Sequence, residues 1–517
     1  METFQTAIDR PFGAIADLIA LHARQNPDRP ALKDSGTTLN YAELDALMDR
    51  VAASLQRDGL GAGDAIAICA ASSVTYAAVF MGALRAGVAV APLAPGSTPT
   101  SLARMMKDAE ARLLFIDVST SSGFTDHTHN YGIGALPRIT LDGSSAGRAF
   151  DGWLVPVGDQ PTAVKVAPSW PFNIIYSSGT TGEPKGIVQG HGMRWAHVQR
   201  GAKYGYGHET VTLLSTPLYS NTTLVVFFPT LAFGGCVILM PKFDAVGYLE
   251  LAARHRVTHT MLVPVQYQRL MANPAFGDHD LSSFLAKFST SAPFGAALKA
   301  DVLARWPGGL IEFYGMTEGG GTCILEAHLH PTKLHTVGQA AEGSDIRLID
   351  EEGREVAAGA DGEIVGSSAG MMTGYHRQPE KTREAEWFDA AGKRFIRTGD
   401  VGRFDADGFL TLFDRKKDMV ISGGFNIYPS DLEAVVRAHP AVADVAVVGV
   451  SSEQWGETPV AFVVRRDGDD TSSDTLLQWT NAQLGKTQRL STLHLIDELP
   501  RSAIGKVLKR ELRERMR

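Results

Sequence analysis

Apolar and polar positions follow two periods along this chain. Within residues 12–25, Ile15, Leu18, Ile19 and Leu21 recur beside charges, which predicts an amphipathic helix ended by Asn26 and Pro27. Residues 41–57 predict a second helix, stopped by Gly59. A fully apolar strand at 65–69, a helix running to Arg85 and a strand at 87–92 follow. The rhythm returns as helix 101–109 with strand 112–116, then as strand 211–215, helix 224–232 and strand 236–240. Helix 246–255 leads into strand 260–263. Strands apolar on both faces and separated by helices predict an α/β fold with mostly parallel sheets covered on both sides.

The pattern changes twice. Residues 119–168 turn polar and rich in Gly and Ser, which reads as a surface excursion because the sheet pattern resumes after it. From Val337 onward, short alternating strands at 345–349, 362–365 and 409–413 with Gly/Asp turns predict a β-rich subdomain. A charged run at 414–418 precedes a smaller α/β unit with a helix at 429–438 and strands at 445–450 and 460–464. No internal repeat or low-complexity tract interrupts this order.

Composition narrows the class. The 517 residues have room for two to four domains, and 44% hydrophobic with 21% charged residues is ordinary for a soluble globular protein. A net charge of −8 with interspersed signs argues against nucleic acid as a partner. Cys69, Cys236 and Cys323 stand far apart, offering neither a disulfide framework nor zinc spacing. With no basic, apolar start in residues 1–9, a cytoplasmic setting is expected. Two charge-free runs, 65–84 and 210–241, are broken by Ser72, Ser73 and Thr75 and by Pro217, Pro229 and Gly234. A spanning helix wants about 20 uninterrupted apolar residues, so no membrane span is expected.

Against this background one stretch stands out, Tyr176 through Gly186, following the apolar run 172–175. Ser177, Ser178, Thr180 and Thr181 cluster around Gly179 and Gly182, with Lys185 three residues on. Glycines let backbone amides approach an oxyanion, hydroxyls donate, and a lysine brings mobile positive charge: the chemistry of a polyphosphate cradle. The spacing is not that of GxxxxGK[ST], and Gly186 stands where the magnesium-binding hydroxyl would be. Ile187 and Val188 continue as a strand, so the loop reads as a hairpin rather than a helix N-terminus.

Four further pieces carry chemistry. In the run Glu312 to Glu318, Tyr314 could stack on a flat base, Thr317 could bond a phosphate and Glu318 could hold magnesium; alone, such residues are as often structural. Asp400, after Thr398 and Gly399, could accept from ribose hydroxyls or simply close a turn. Gly423 and Gly424 make a sharp turn able to admit a thin ligand past bare backbone. Lys506 sits on a Gly-containing loop near the end and, alone, reads as a solvated lysine, as does the Arg415–Lys417 run.

In order and spacing these pieces resemble the superfamily of acyl-adenylate-forming enzymes, which includes acyl-CoA synthetases, peptide-synthetase adenylation domains and beetle luciferases. The resemblance spans essentially the whole chain. It implies an N-terminal nucleotide- and acyl-binding domain over 1–414, a hinge at 415–417 and a small mobile α+β domain over 418–517. It implies that Ser177 to Lys185 hold the β- and γ-phosphates of ATP, Tyr314 and Gly315 pack at adenine, and Thr317 contacts the α-phosphate and the acyl carboxylate. Glu318 would help bind Mg2+, Asp400 and Arg415 the ribose, and Lys506 would bridge the carboxylate, the α-phosphate and the ribose oxygen. The hinge residue falls on Lys417, and Gly423 and Gly424 would line the channel for coenzyme A. Acylation of Lys506 is a further family property.

By the same resemblance the acyl pocket is lined by Tyr219, Ser220, Asn221, Ser291, Ala292, Gly319 and Gly320. Ser220 departs from the PL[YF]H pattern of many acyl- and aryl-CoA synthetases, and no aspartate lies between Thr216 and Thr223 to hold an α-ammonium. The resemblance therefore implies a carboxylic acid–CoA ligase for an aryl, arylpropenoic (coumarate- or ferulate-like) or medium- to long-chain fatty acid. Its partners are a small acid, ATP and CoA, with room for a homodimer. The alternatives are an adenylate synthase that delivers to a carrier protein and a non-catalytic nucleotide-binding homologue. A luciferase-like oxygenase is more distant.

Overall fold

The computed structural model describes residues 3–121, 136–177, 184–415, 418–422, 425–452, 455–484, 488–502 and 505–516. The chain forms two compact units. One comprises Met1–Leu334, Ala341–Asp345 and Gly366–Ile396, the other His335–Ala340, Ile346–Val365 and Arg397–Arg517.

The first unit is built on two mostly parallel sheets. In one, Ala65–Cys69 lies between Ala89–Pro92 and Ala111–Ile116, all in parallel register. Beyond Ala89–Pro92 come Pro171–Ser177 and, antiparallel, Lys185–Gly190 and Gly374–Tyr375. In the other sheet, Val211–Leu214, Cys236–Leu239, His259–Leu262, Ala286–Ser289 and Gly309–Met316 run parallel, and Gly319–Glu326 returns antiparallel. The helices between the strands bury a large core shared by the two sheets, with smaller apolar clusters beside it. Tyr41–Arg57 begins with a reciprocal capping box, Asn40 accepting from the Glu43 amide while Glu43 accepts from that of Asn40. It packs closely on Val74–Arg85, where a side chain at Gly82 would meet Val51 at 2.5 Å.

Asn221–Ala232 is buried nearly all round and contains Pro229, so the run that interrupts a membrane span is a core helix. Among the described residues no helix is long and apolar enough to cross a membrane. The three cysteines are free, and burial pushes the Cys69 and Cys323 thiols up to about 12.

The polar stretch 119–168 departs from the expectation of a surface excursion. Arg138–Thr140 and Arg148–Ala149 add parallel strands beside Ala111–Ile116, and Phe150–Trp153 turns inward. Trp153 is sealed against Phe115, and its indole N–H donates to Asp58 at 2.7 Å. A few large apolar side chains anchor an otherwise polar sequence.

The second unit holds most of the expected β-rich strands, residues 346–349, residues 362–365 and Leu410–Arg415, together with residues 397–404, which the sequence did not mark. It also contains a long hairpin of Val442–Ser452 with Gly456–Arg465, joined in parallel by Thr492–Leu495. Both hairpin faces are buried. Val445 and Val447 face Leu432, Val436 and Leu476, while Ala446 and Val448 pack with Leu499 and Leu512. That explains why the strand reads as an unbroken apolar run.

Candidate active site

The phosphate-loop sequence joins two antiparallel strands, with Tyr176 opposite Gly186 and Ser177 opposite Lys185. This is the hairpin that the mismatch with GxxxxGK[ST] implies. Ser178, Gly179, Thr180, Thr181 and Gly182 lie outside the described residues. The hairpin base is held firmly. Tyr176 donates to Asp108 Oδ2 at 2.7 Å, Gln378 Nε2 donates to the Pro184 carbonyl at 3.1 Å, and the His376 amide donates to the Gly186 carbonyl at 2.7 Å. Gly186 has a steric reason as well: a Cβ there would lie 2.8 Å from Asp108 and 2.9 Å from Ile174.

Glu312 to Glu318 forms the end of one strand and a tight turn. Tyr314 lies opposite Cys323 and Met316 opposite Gly319, which leaves Thr317 and Glu318 at the tip. Gly319 and Gly320 adopt left-handed φ of +76° and +87°, and a side chain on Gly319 would fall 1.8 Å from the Gly370 carbonyl. Close backbone approach thus accounts for the absence of side chains at both.

The two motifs meet at Tyr375, which the sequence did not single out. Its phenol donates to Glu318 Oε1 at 2.9 Å, and the Lys185 ammonium lies 5.3 Å from its ring centroid. Burial, with the Glu318 charge beside it, pushes the Tyr375 hydroxyl well above its ordinary value, so it remains a donor. Glu318 is nearly buried, and the Met372 amide fixes its backbone carbonyl at 2.8 Å.

A polar network lies behind this tip. Gln189 donates to the Thr317 carbonyl at 2.7 Å, Asn173 donates to Gln189 at 3.0 Å, and Arg194 bonds Gln189, Asn173 and Asn221. Ser220 is buried, Tyr219, Ala292 and Gly319 are half-buried, and Gly315 is exposed. Thr222 and Ser291 share a 2.5 Å hydroxyl–hydroxyl hydrogen bond, with Ser291 in the left-handed region at φ +80°. Asn173, Gln189 and Arg194 were absent from the sequence reading. The available signal was a lone polar residue in an apolar run at Asn173 and Gln189, whereas Arg194, among His191, His197 and Gln199, carried none.

In the second unit Asp400 and Arg415 are register partners on adjacent antiparallel strands. The Asp400 amide donates to Thr398 Oγ1 at 3.0 Å, and Gly399 supplies the left-handed turn at φ +70°. Lys506 is exposed on a loop closed by the bridge between Arg501 and Val507. Ser502 braces that loop, its amide donating to the Lys506 carbonyl at 2.8 Å and its hydroxyl accepting from the Lys506 amide at 3.2 Å. Lys417, Gly423 and Gly424 lie outside the described residues.

Glu318 presents one carboxylate that could serve Mg2+. Among the described residues no group of three or more His, Cys, Asp or Glu side chains could hold a metal. A single carboxylate suffices where substrate phosphates and water complete the shell, as Mg2+ prefers. Oε1 accepts from Tyr375, and Oε2 accepts from no described residue.

Comparisons with known proteins give the family. Residues 19–376 match the AMP-binding enzyme family and residues 431–506 the AMP-binding enzyme C-terminal domain. The feruloyl-CoA synthase of an Amycolatopsis species is 33% identical over 507 residues, covering 95% of this chain and 97% of that protein. A fatty acid–[acyl-carrier-protein] ligase of Streptomyces coeruleorubidus is 30% identical over 506 residues, covering 96% and 95%. The crystal structure of ATP-bound MatB from Rhodopseudomonas palustris superposes with a TM-score of 0.86 at 31% identity, covering 97% of this chain and 98% of that one. The chain belongs to the AMP-binding enzymes, the superfamily of acyl-adenylate-forming ligases.

Proposed function

We propose that this enzyme is an AMP-forming carboxylic acid–CoA ligase whose acid is aryl, arylpropenoic or a medium- to long-chain fatty acid. The observation that carries the reading is the convergence of Lys185 and Glu318 on Tyr375, which sets the phosphate hairpin and the Thr317–Glu318 turn side by side. The relatives named for CoA ligation support the thioester product.

In this reading the loop from Ser177 to Lys185 grips the β- and γ-phosphates, Tyr314 packs on adenine, and Asp400 with Arg415 takes the ribose. A carboxylate oxygen of the acid attacks the α-phosphorus and the bond to pyrophosphate breaks. Because attacker and target are both anionic, positive charge from Lys185 and Lys506 and precise positioning lower the barrier. Mg2+ held at Glu318 would supply further charge neutralisation. No general base is needed, since a carboxylic acid is ionised at neutral pH. The small domain then turns about Lys417, and Gly423 and Gly424 admit the pantetheine arm. The CoA sulfur bonds to the acyl carbon, AMP leaves, and the thiol proton passes to solvent.

A second reading, transfer to a carrier protein, is favoured by the carrier-protein ligase among the relatives. Pyrophosphate and AMP release from ferulate, 4-coumarate, indole-3-acetate and graded fatty acids, with and without CoA, separates the two. CoA-dependent AMP release supports the ligase. Pyrophosphate release that ignores CoA points to the carrier.

A further inference from the structure

Arg194 is 1% exposed and has no carboxylate partner among the described residues. Its guanidinium lies near the rings of Phe172 and Phe228, at 5.8 and 5.6 Å, and among the described residues its hydrogen bonds go to neutral amide oxygens alone. Nε donates to Asn173 at 3.1 Å, Nη2 donates to Asn221 at 2.9 Å and also to Gln189, and Nη1 has no partner among the described residues. Burial lowers its pKa to about 9, which leaves it charged at neutral pH.

A guanidinium only donates, so every amide facing it must present oxygen. This fixes the polarity of the network. Gln189 turns Oε1 to Arg194 and must use Nε2 as a donor, which it does on the Thr317 carbonyl at 2.7 Å. Asn221 likewise turns Oδ1 inward, where Gln189 Nε2 also approaches it at 3.4 Å. Its Nδ2 is therefore the end turned away from Arg194. Asn221 is part-exposed at the start of its helix, and Nδ2 bonds no described residue. Through Gln189 that amide is tied to the Thr317 backbone, next to the turn that carries Glu318.

We propose that Asn221 is a substrate-binding residue whose Nδ2 donates to an oxygen of the acid at its carboxylate end, and that Arg194 is the positioning residue that holds it in this orientation. The inference rests on the adenylation reading above and adds a recognition element to it. An ordinary flipped amide would offer an acceptor to an anionic substrate and repel it. The buried charge makes the flipped state costly, because a guanidinium N–H would then face an NH2 group.

Asn221→Asp distinguishes this role from a structural one. The carboxylate keeps the shape and forms an ion pair with Arg194, so the fold should melt no lower than wild type. The outward donor is lost and an anion faces the acid. ATP–pyrophosphate exchange is measured with 4-coumarate, indole-3-acetate and hexadecanoate. For whichever acid the wild type uses, kcat/KM should fall on the order of 100-fold, as when an oxyanion donor is removed. Arg194→Met should fall about 10-fold, and Arg194→Lys, which keeps the charge, should recover part of that loss. Exchange by Asn221→Asp within twofold of wild type overturns the inference while leaving the adenylation reading intact. A wild type that exchanges with none of the acids overturns that reading, and this inference with it.

Discussion

The phenol of Tyr375 donates to Glu318 Oε1 at 2.9 Å while the ammonium of Lys185 lies 5.3 Å from the centre of its ring. One residue thus orients the proposed magnesium ligand and borders the proposed phosphate lysine. Tyr375→Phe keeps the ring beneath Lys185 and removes only the hydrogen bond. The Mg2+ concentration for half-maximal pyrophosphate exchange should rise about 10-fold, in the range for loss of an outer-shell partner. The melting temperature should change little. An unchanged Mg2+ requirement would detach Glu318 from the metal.

His22 provides a pH test of the core. It is sealed, its Nε2 bonds the Ala232 carbonyl at 2.7 Å, and Nδ1 has no partner among the described residues. Burial lowers its pKa from 6.5 to about 4. The unfolded chain therefore binds a proton below about 6.5 that the folded one refuses until about 4, so stability is full above this window and lost as pH falls through it. The loss is on the order of 3 kcal/mol per such histidine, and His191 shows the same shift. His22→Gln should lose less melting temperature than wild type between pH 7 and pH 5. Equal losses would show that His22 does not couple folding to acid.

Gly319 and Gly315 should part company. Alanine at Gly319 meets both a left-handed φ and the Gly370 carbonyl at 1.8 Å, and should yield an unstable or insoluble protein. Alanine at Gly315 finds its nearest neighbour at 3.5 Å and should fold normally. If Gly315 borders the bound substrates, that variant lowers kcat/KM without lowering the melting temperature. Thermal melts of the two proteins decide it. A Gly319→Ala protein as stable as wild type would contradict the packing argument.

Lys506 should serve one half-reaction alone. Lys506→Ala is expected to lower pyrophosphate exchange by 100-fold or more, in the range of lost electrostatic stabilisation. Thioester formation from supplied acyl-adenylate should stay close to wild type. Equal loss in both halves would contradict the proposed division of labour between two domain orientations.

The elements legible in the sequence are those whose periodicity reports burial directly. Tyr41–Arg57 and Ala65–Cys69 fall where the pattern puts them, because capping and two-sided burial are local or short-range signals. The hairpin around the phosphate loop was legible for the same reason: apolar residues continue on both sides of it. Residues 138–153 were not, since Arg138–Thr140 depends on parallel pairing with Ala111–Ile116, Arg148–Ala149 on pairing with Arg138–Thr140 in turn, and only Ile139, Phe150 and Trp153 betray burial. The support of the site was hidden more completely. Asn173 and Gln189 are each a lone polar residue in an apolar run, Arg194 stands among His191, His197 and Gln199, and only the fold joins them to Thr317. Tyr375 lies 57 positions from Glu318, with no local pattern to mark the pairing.

The central claim is that a carboxylate oxygen of the acid becomes bonded to the α-phosphorus of ATP. The direct measurement uses the acid turned over fastest, labelled with ¹⁸O in both carboxyl positions, with ATP, Mg2+ and CoA, and mass analysis of the products. One labelled oxygen in AMP and none in pyrophosphate is the expected result. Unlabelled AMP, or formation of ADP and labelled phosphate, would contradict the acyl-adenylate route.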